Sequence, residues 1–307
     1  MRCVVFGYHD IGYVCLQELL QAGAEVCAVF THTDDPDERV WFRSVRELAE
    51  QHGVPLFSPD TVNTPEWIAR IAAWQPDFVF SFYYRKLLSQ AILDLPRRGA
   101  LNLHGSLLPR YRGRCPVNWV LIHDERETGV TLHYMEAKPD RGDIVAQRAV
   151  PITDDDTAQT LFEKLTVAAA TLVRELYPQL CAGTAARRPQ DHAAASYFGG
   201  RRPDDGRIDW AQPARTVFNL VRAVTHPYPG AFGSWDGRPL FVWEARPVPG
   251  ATTAAVPGTV VAVQPELRVA TGDGVLALRR VQGQGEAECA GSAWAAAHGI
   301  QEGVRLT

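Results

Sequence analysis

No run of about 18 apolar residues occurs in the chain, so no membrane-spanning helix is expected. Nor is there a strong excess of either charge. Lys plus Arg number 31 against 35 for Asp plus Glu, a net charge of -4. A general nucleic-acid binder would more often be basic, so nucleic acid is not the expected partner. The six cysteines, Cys3, Cys15, Cys27, Cys115, Cys181 and Cys289, are scattered. None forms a Cys-x-x-Cys pair or a Cys/His cluster at metal-ligand spacing. No metal site is therefore expected, and the thiols read as reduced, as in a cytoplasmic protein. Met1 leads straight into an apolar strand-like run that Asp10 interrupts, so no signal peptide is expected. The loop after that run holds only Gly7 and Gly12 and lacks G-x-G-x-x-G, which argues against a nicotinamide cofactor. Internal repeats and low-complexity tracts are also missing.

What is present is ordinary for a soluble globular protein: 307 residues, 46% hydrophobic and 21% charged. That length is enough for two domains. Arg2 to Phe6 reads as a buried parallel strand, Ile11 to Ala22 as a helix closed by Gly23, and Glu25 to Thr31 as a second strand. This βαβ unit implies a right-handed crossover. His32 to Phe42 reads as a solvated acidic loop carrying Asp34, Asp35, Asp37 and Glu38. Ser44 with Glu47, and Thr64 with Pro65, mark two helix starts. Phe78 to Phe82 and Ala100 to His104 continue the sheet, and Pro116 opens another helix. Thr128 to Met135 and Val145 to Ile152 read as a strand pair. Asp154 to Cys181 is a long helix whose Leu161, Leu165, Ala168, Leu172 and Leu176 form a packing stripe. From Ala231 short strands alternate with turns at Asp236-Gly237, Pro249-Gly250, Pro257-Gly258 and Gly272-Asp273-Gly274, which suggests a small barrel or sandwich. The expected fold class is α/β, with a mostly parallel sheet in residues 1–188, a linker and loop at 189–207, and a smaller β-rich domain at 208–307.

The chemistry concentrates between Ala100 and Arg114, ALNLHGSLLPRYRGR. If this run ends a strand, Asn102 and His104 stand two apart and face the same way. They then project at the strand's carboxyl end, where ligands bind in open α/β sheets. The turn Lys138-Pro139-Asp140-Arg141-Gly142-Asp143 brings carboxylates after another strand. A buried Asp beside a His favours the imidazolium and fixes the ring tautomer. An Asn amide can donate to an oxyanion that develops during acyl transfer. No covalent nucleophile with its own base is evident, so direct transfer between two bound substrates fits better than an acyl-enzyme.

This pattern, Asn-x-His followed by Ser-Leu-Leu-Pro with a downstream D-x-G-D turn, resembles the folate-dependent formyltransferases. The longer runs FGYHDIG at Phe6 to Gly12, FTHTDDP at Phe30 to Pro36, SFYYR at Ser81 to Arg85, NLHGSLLPRYRGR at Asn102 to Arg114 and RRPDDG at Arg201 to Gly206 look like one branch. That branch is the transformylase portion of bifunctional polymyxin-resistance enzymes, which formylate UDP-4-amino-4-deoxy-L-arabinose. The resemblance implies a Rossmann-like formyltransferase domain followed by an OB-like barrel. It implies N10-formyltetrahydrofolate as co-substrate and a nucleotide-linked amino sugar as acceptor. The product would serve lipid A modification and antibiotic resistance. Asn102, His104 and Asp140 become the catalytic set. Lys86, Leu87, Leu88, Arg114 and the turn Glu136, Ala137, Lys138, Pro139 and Asp140 become folate contacts. Arg201 and Arg202 are arginines suited to a diphosphate. Another amino-sugar nucleotide and methionyl-tRNA remain alternative acceptors. An NAD-dependent decarboxylase, separate or fused, is a possible partner, because the chain stops about where that half would begin.

Overall fold

The computed structural model of the chain describes residues 1–34 and 40–307. Asp35, Asp37 and Glu38 of the expected acidic loop thus lie outside the described residues. In chain order the elements begin with β1 (Arg2–Gly7), α1 (His9–Gln21), β2 (Glu25–Phe30), α2 (Val45–Gln51), β3 (Leu56–Phe57), α3 (Pro65–Ala73) and β4 (Phe78–Phe82). There follow α4 (Gln90–Leu93), β5 (Gly99–His104), β6 (Arg112–Gly113), α5 (Pro116–Ile122), β7 (Glu127–Tyr134), β8 (Ile144–Pro151), α6 (Ala158–Ala182) and β9 (Tyr197–Phe198). The remainder is α7 (Ala214–Val224), β10 (Ala231–Trp235), β11 (Arg238–Pro247), β12 (Val260–Ala262), β13 (Leu267–Ala270), β14 (Val275–Gly283), β15 (Cys289–Ala290) and α8 (Gly291–Ala297).

The chain divides into two units. The first holds Met1–Pro116, Glu127–Pro151 and Phe162–Gly199; the second holds Val117–Arg126, Ile152–Leu161 and Gly200–Thr307. The second unit therefore draws two short stretches from the middle of the chain, which a single boundary read along the sequence does not express.

The first unit is built on a seven-stranded sheet of order β3-β2-β1-β4-β5-β7-β8. Its first five strands run parallel; β7 is antiparallel to β5, and β8 to β7. The parallel strands are apolar along their length because both faces are covered: all five residues of β4 are buried. Phe6 and Phe30 stack at 4.6 Å in a core shared with Val4, Val79 and Ile92. Helix starts follow the expected capping chemistry. Ser44 Oγ accepts from the Glu47 N–H and Thr64 Oγ1 from the Trp67 N–H. Two starts differ. Helix α1 begins at His9, so the loop after β1 is shorter than the glycines suggest. Helix α6 begins at Ala158 rather than Asp154, because buried Asp156 folds back to accept from the Thr153 N–H at 2.7 Å and the Thr160 hydroxyl at 3.2 Å.

The second unit is an antiparallel sheet of order β10-β11-β14-β13-β12, with β15 beside β14. It is the small barrel-like domain the turn spacing suggests. Helix α7 lies on β11, with Val217, Phe218, Val221 and Val224 buried. The short β15 and α8 were not expected. No helix among the described residues is long and apolar enough to cross a membrane.

Candidate active site

Strand β5 ends in Asn102-Leu103-His104 and pairs with β7 so that Asn102 faces His133 and His104 faces Thr131. Directly opposed residues of an antiparallel pair share a face. The register therefore gathers Asn102, His104 and His133 on one side of the sheet. His133 was not singled out from the sequence. The alternation in Thr131-Leu132-His133-Tyr134 shows a strand, but only the register shows which residue it faces.

The cluster is tightly specified. Asn102 Nδ2 donates to His133 Nε2 at 3.1 Å, and His133 Nδ1 lies 2.8 Å from the Tyr134 carbonyl. A carbonyl only accepts, so Nδ1 carries the His133 proton and Nε2 is free to accept. His104 Nε2 lies 2.7 Å from the Tyr111 carbonyl and by the same reasoning is an N–H. Its Nδ1 faces Asp140 Oδ1 at 3.5 Å, longer than a hydrogen bond. The Gly113 N–H donates to Asp140 Oδ2 at 2.9 Å. Both side chains are mostly covered, His104 8% and Asp140 10% exposed. Burial pushes the Asp140 carboxyl up, but the His104 ring beside it, His133 Nε2 at 3.6 Å and the Gly113 N–H hold it well below the usual carboxylate range.

The loop between the two histidine strands is itself pinned. The Ser106 hydroxyl donates to the Arg110 carbonyl at 2.7 Å, so this serine is a loop brace rather than a nucleophile. The Thr131 hydroxyl donates to Ser106 O, and its oxygen accepts from the Leu108 N–H and the Gln147 amide. Tyr111 stacks on Phe198 at 5.0 Å and donates its N–H to the Ser196 hydroxyl. Tyr83, Tyr111, Cys115 and Asp140 all hold positive φ, near +50 to +60°. Such backbone, sparsely populated by non-glycine residues, gathers at functional sites. Gly105 makes room for the Tyr83 ring: a Cβ there would meet Tyr83 Oη at 2.1 Å, so the ring would have to shift. The arrangement offers an amide donor and an imidazole backed by a carboxylate, and among the described residues of the cluster no nucleophile is paired with a base, as direct acyl transfer between two bound substrates needs.

Comparison with known families places the chain. Residues 1–176 match the model described as "Formyl transferase", and residues 201–299 match "Formyl transferase, C-terminal domain". The chain belongs to the formyl transferase family. Among solved structures it resembles an N-formyltransferase from Helicobacter canadensis, in complex with folinic acid and dTDP-3-aminofucose. The TM-score is 0.69 at 17% identity, covering 90% of this chain and 98% of that one. It also resembles WlaRD, a sugar 3N-formyl transferase, with a TM-score of 0.70 at 18% identity over 94% and 99% of the two chains. Methionyl-tRNA formyltransferase from Clostridium thermocellum aligns with a TM-score of 0.58 at 15% identity over 83% and 97%. At these identities the likeness establishes the shared formyltransferase fold.

The other residues expected of a formyltransferase are placed as follows. Lys86, Leu87 and Leu88 follow the carboxyl end of β4. The Lys86 ammonium donates to the Pro59 carbonyl at 3.2 Å. The Leu87 side chain is 71% exposed, while Leu88 packs into the core. The Asn63 amide accepts from the Ser89 N–H and donates to Leu87 O, which fixes this segment. Arg114 is exposed beside the cluster, its N–H donating to Phe198 O. Glu136, Ala137, Lys138 and Pro139 form the exposed rim of the Asp140 turn. Arg201 and Arg202 belong to the second unit. Arg201 donates to Asp205 O at 2.6 Å and lies over the Trp119 ring, whereas the Arg202 N–H donates to the Asp205 carboxylate.

Proposed function

We propose that the chain transfers the formyl group of N10-formyltetrahydrofolate to the 4-amino group of a nucleotide-linked amino sugar, with UDP-4-amino-4-deoxy-L-arabinose as the acceptor. The observation that carries the reading is the Asn102, His104 and Asp140 cluster at the carboxyl end of β5, within a formyl transferase fold. One N–H of the Asn102 amide is held by His133, which leaves the second to donate to the formyl oxygen as the amine attacks. His104 Nε2 is committed to the Tyr111 carbonyl. Nδ1 is therefore the nitrogen that takes the proton lost by the attacking amine and hands it to N10 as the C–N10 bond breaks, with Asp140 stabilising the transient imidazolium. Holding both substrates side by side makes the transfer effectively unimolecular.

The exposed Leu87 and the Glu136 to Asp140 rim suit a ligand with a flat ring and polar edge, and are assigned to the folate. Arg114 is assigned to it as well. Two structural relatives were solved with a folinic acid or formyltetrahydrofolate and with a dTDP compound, which supports a nucleotide-linked acceptor here. Arg201 and Arg202 are proposed to meet the diphosphate. The net charge of -4 favours this acceptor over methionyl-tRNA. The enzyme is proposed to work in the cytoplasm, beside an NAD-dependent decarboxylase that supplies its acceptor pathway.

The deciding experiment is a formyl-transfer assay with N10-formyltetrahydrofolate, offering UDP-4-amino-4-deoxy-L-arabinose, dTDP-linked amino sugars and methionyl-tRNA in parallel. Turnover of the UDP sugar alone is expected. Preference for a dTDP sugar would replace the acceptor and keep the chemistry; turnover of methionyl-tRNA alone would overturn the amino-sugar reading.

A further inference from the structure

Arg112 has only 1% of its surface exposed. A buried guanidinium needs hydrogen-bond partners for its donors. Here Nε and Nη2 donate to Gln190 Oε1, at 3.2 and 2.5 Å; Nη1 donates to the Tyr197 hydroxyl at 2.6 Å; and Nη2 also lies 3.0 Å from His192 Nδ1. The fork of two N–H groups on one oxygen fixes which end of the Gln190 amide faces which way. The Gln190 NH2 group is thereby aimed at the Asp140 turn. It donates to the carbonyls of Asp140 at 3.0 Å and Gly142 at 2.7 Å.

The same arginine is bonded in sequence to Gly113, whose N–H holds the Asp140 carboxylate. Asp140 is thus gripped twice from one point. Its side chain is held through the residue after Arg112, and its backbone through Gln190. Asp140 sits at φ +58°, and Gly142 accepts no Cβ, because one there would strike the Tyr134 carbonyl at 2.0 Å. A turn with so little freedom has one position, and the Arg112 and Gln190 pair sets it.

We infer that Arg112 and Gln190 are positioning residues, a buried strut that sets the distance between Asp140 and His104 Nδ1. The inference rests on the functional reading above, in which that distance governs proton delivery. Gln190 lies in a stretch that reads as linker in the sequence, so this segment contributes to catalysis without touching substrate.

The test uses Gln190→Glu in the full-length chain. The carboxylate keeps, and strengthens, the contact with Arg112 but presents two acceptors, so the donors to Asp140 O and Gly142 O are lost. Melting temperature, kcat and the KM of each substrate are measured, in the parent and in an Asp140→Asn background. The strut predicts a lowered melting temperature, because a buried carboxylate oxygen then faces two carbonyls without donors, with kcat lowered roughly 10- to 100-fold by misplacement of the turn and KM nearly unchanged. It also predicts that the substitution costs almost nothing once Asp140 is Asn, since interacting sites are non-additive. A Gln190→Glu kcat within about twofold of the parent, or an equal loss in both backgrounds, overturns the strut. Should Gln190→Glu fail to fold, Gln190→Met is read in the same cycle with the same outcomes. If Asp140→Asn alone turns over at the parent rate, it is the functional reading that fails, not the strut alone.

Discussion

Asp140 in the first unit and Asp154 in the second are both held well below the usual carboxylate range, and the reasons differ. Asp154 is half-exposed and takes its shift first from hydrogen bonds with Arg215, then from Arg126. It belongs to a web of opposite charges, in which Arg215 also grips Asp124 at 2.6 Å and Arg246 reaches Asp155. Asp140 is buried and held by two imidazoles, His104 and His133, and a backbone N–H. One carboxylate is satisfied by surplus cations in solvent, the other by a small number of groups with fixed aim. A depressed carboxylate alone does not mark a catalytic centre; the kind of partner and the water around it do.

Four sets of substitutions sharpen that contrast. The largest effect is expected from Asn102→Ala, His104→Ala or Asp140→Asn, each lowering turnover roughly 10²- to 10³-fold while the melting temperature moves little. Asp154→Asn should leave turnover within about twofold of the parent. A His104→Ala protein with near-normal activity would sink the mechanism. Next is Gly105→Ala, whose new methyl meets Tyr83 Oη. It is expected to cost about 1–3 kcal/mol in a denaturant titration and to lose most activity. Adding Tyr83→Phe removes the offending oxygen and should recover much of both; no recovery would show that the glycine is needed for another reason.

Smaller again is Arg215→Met. Its carboxylate partners are 35% and 52% exposed, so solvent screening limits the loss to about 1 kcal/mol or less. Running the melt in 1 M salt should shrink the difference, whereas the penalty at Gly105 should be insensitive to salt. The smallest concerns His32, pushed down to about 4 first by burial and then by Lys86 and Arg85, and accepting from the Arg85 N–H. A depressed folded value means its contribution to stability is complete above its ordinary value of about 6.5 and fades as pH falls towards 4. His32→Gln, which keeps an acceptor but does not titrate, should flatten the stability curve over that window. An unchanged slope would remove His32 as its cause.

Much of the fold can be read along the chain because local chemistry decides it. Ser44 and Thr64 cap the helices they announce, the apolar runs become parallel strands, and the glycine turns after Ala231 separate the strands of the second unit. The period of two puts Asn102 and His104 on one face, and the carboxylate turn reaches them. Contributions from a distance are another matter. His133 enters through the β5 to β7 register, the Tyr111 carbonyl and Gly113 N–H are backbone groups with no signature, and Gln190 sits in a stretch whose small residues look like a connector. The start of α6 is misread for a similar reason: Thr153 and Asp154 both look like caps, whereas the helix is opened by Thr157, whose Oγ1 accepts from the Thr160 N–H. Asp205 likewise gives Arg201 and Arg202 a local partner that composition does not reveal.

All the side chains and backbone groups of the catalytic cluster fall between Asn102 and Asp140, and the strands that flank β5 on its parallel side come earlier still. A growing chain emerges from the ribosome amino end first and tends to fold unit by unit. The loops closed by these contacts are short in sequence, so their entropic cost is modest. The reactive constellation is therefore complete in sequence before residue 200 has been synthesised, and its supports between Gln190 and Phe198 are the last to arrive. In a nascent chain, the arrival of that short segment marks the moment at which the site changes from assembled to set.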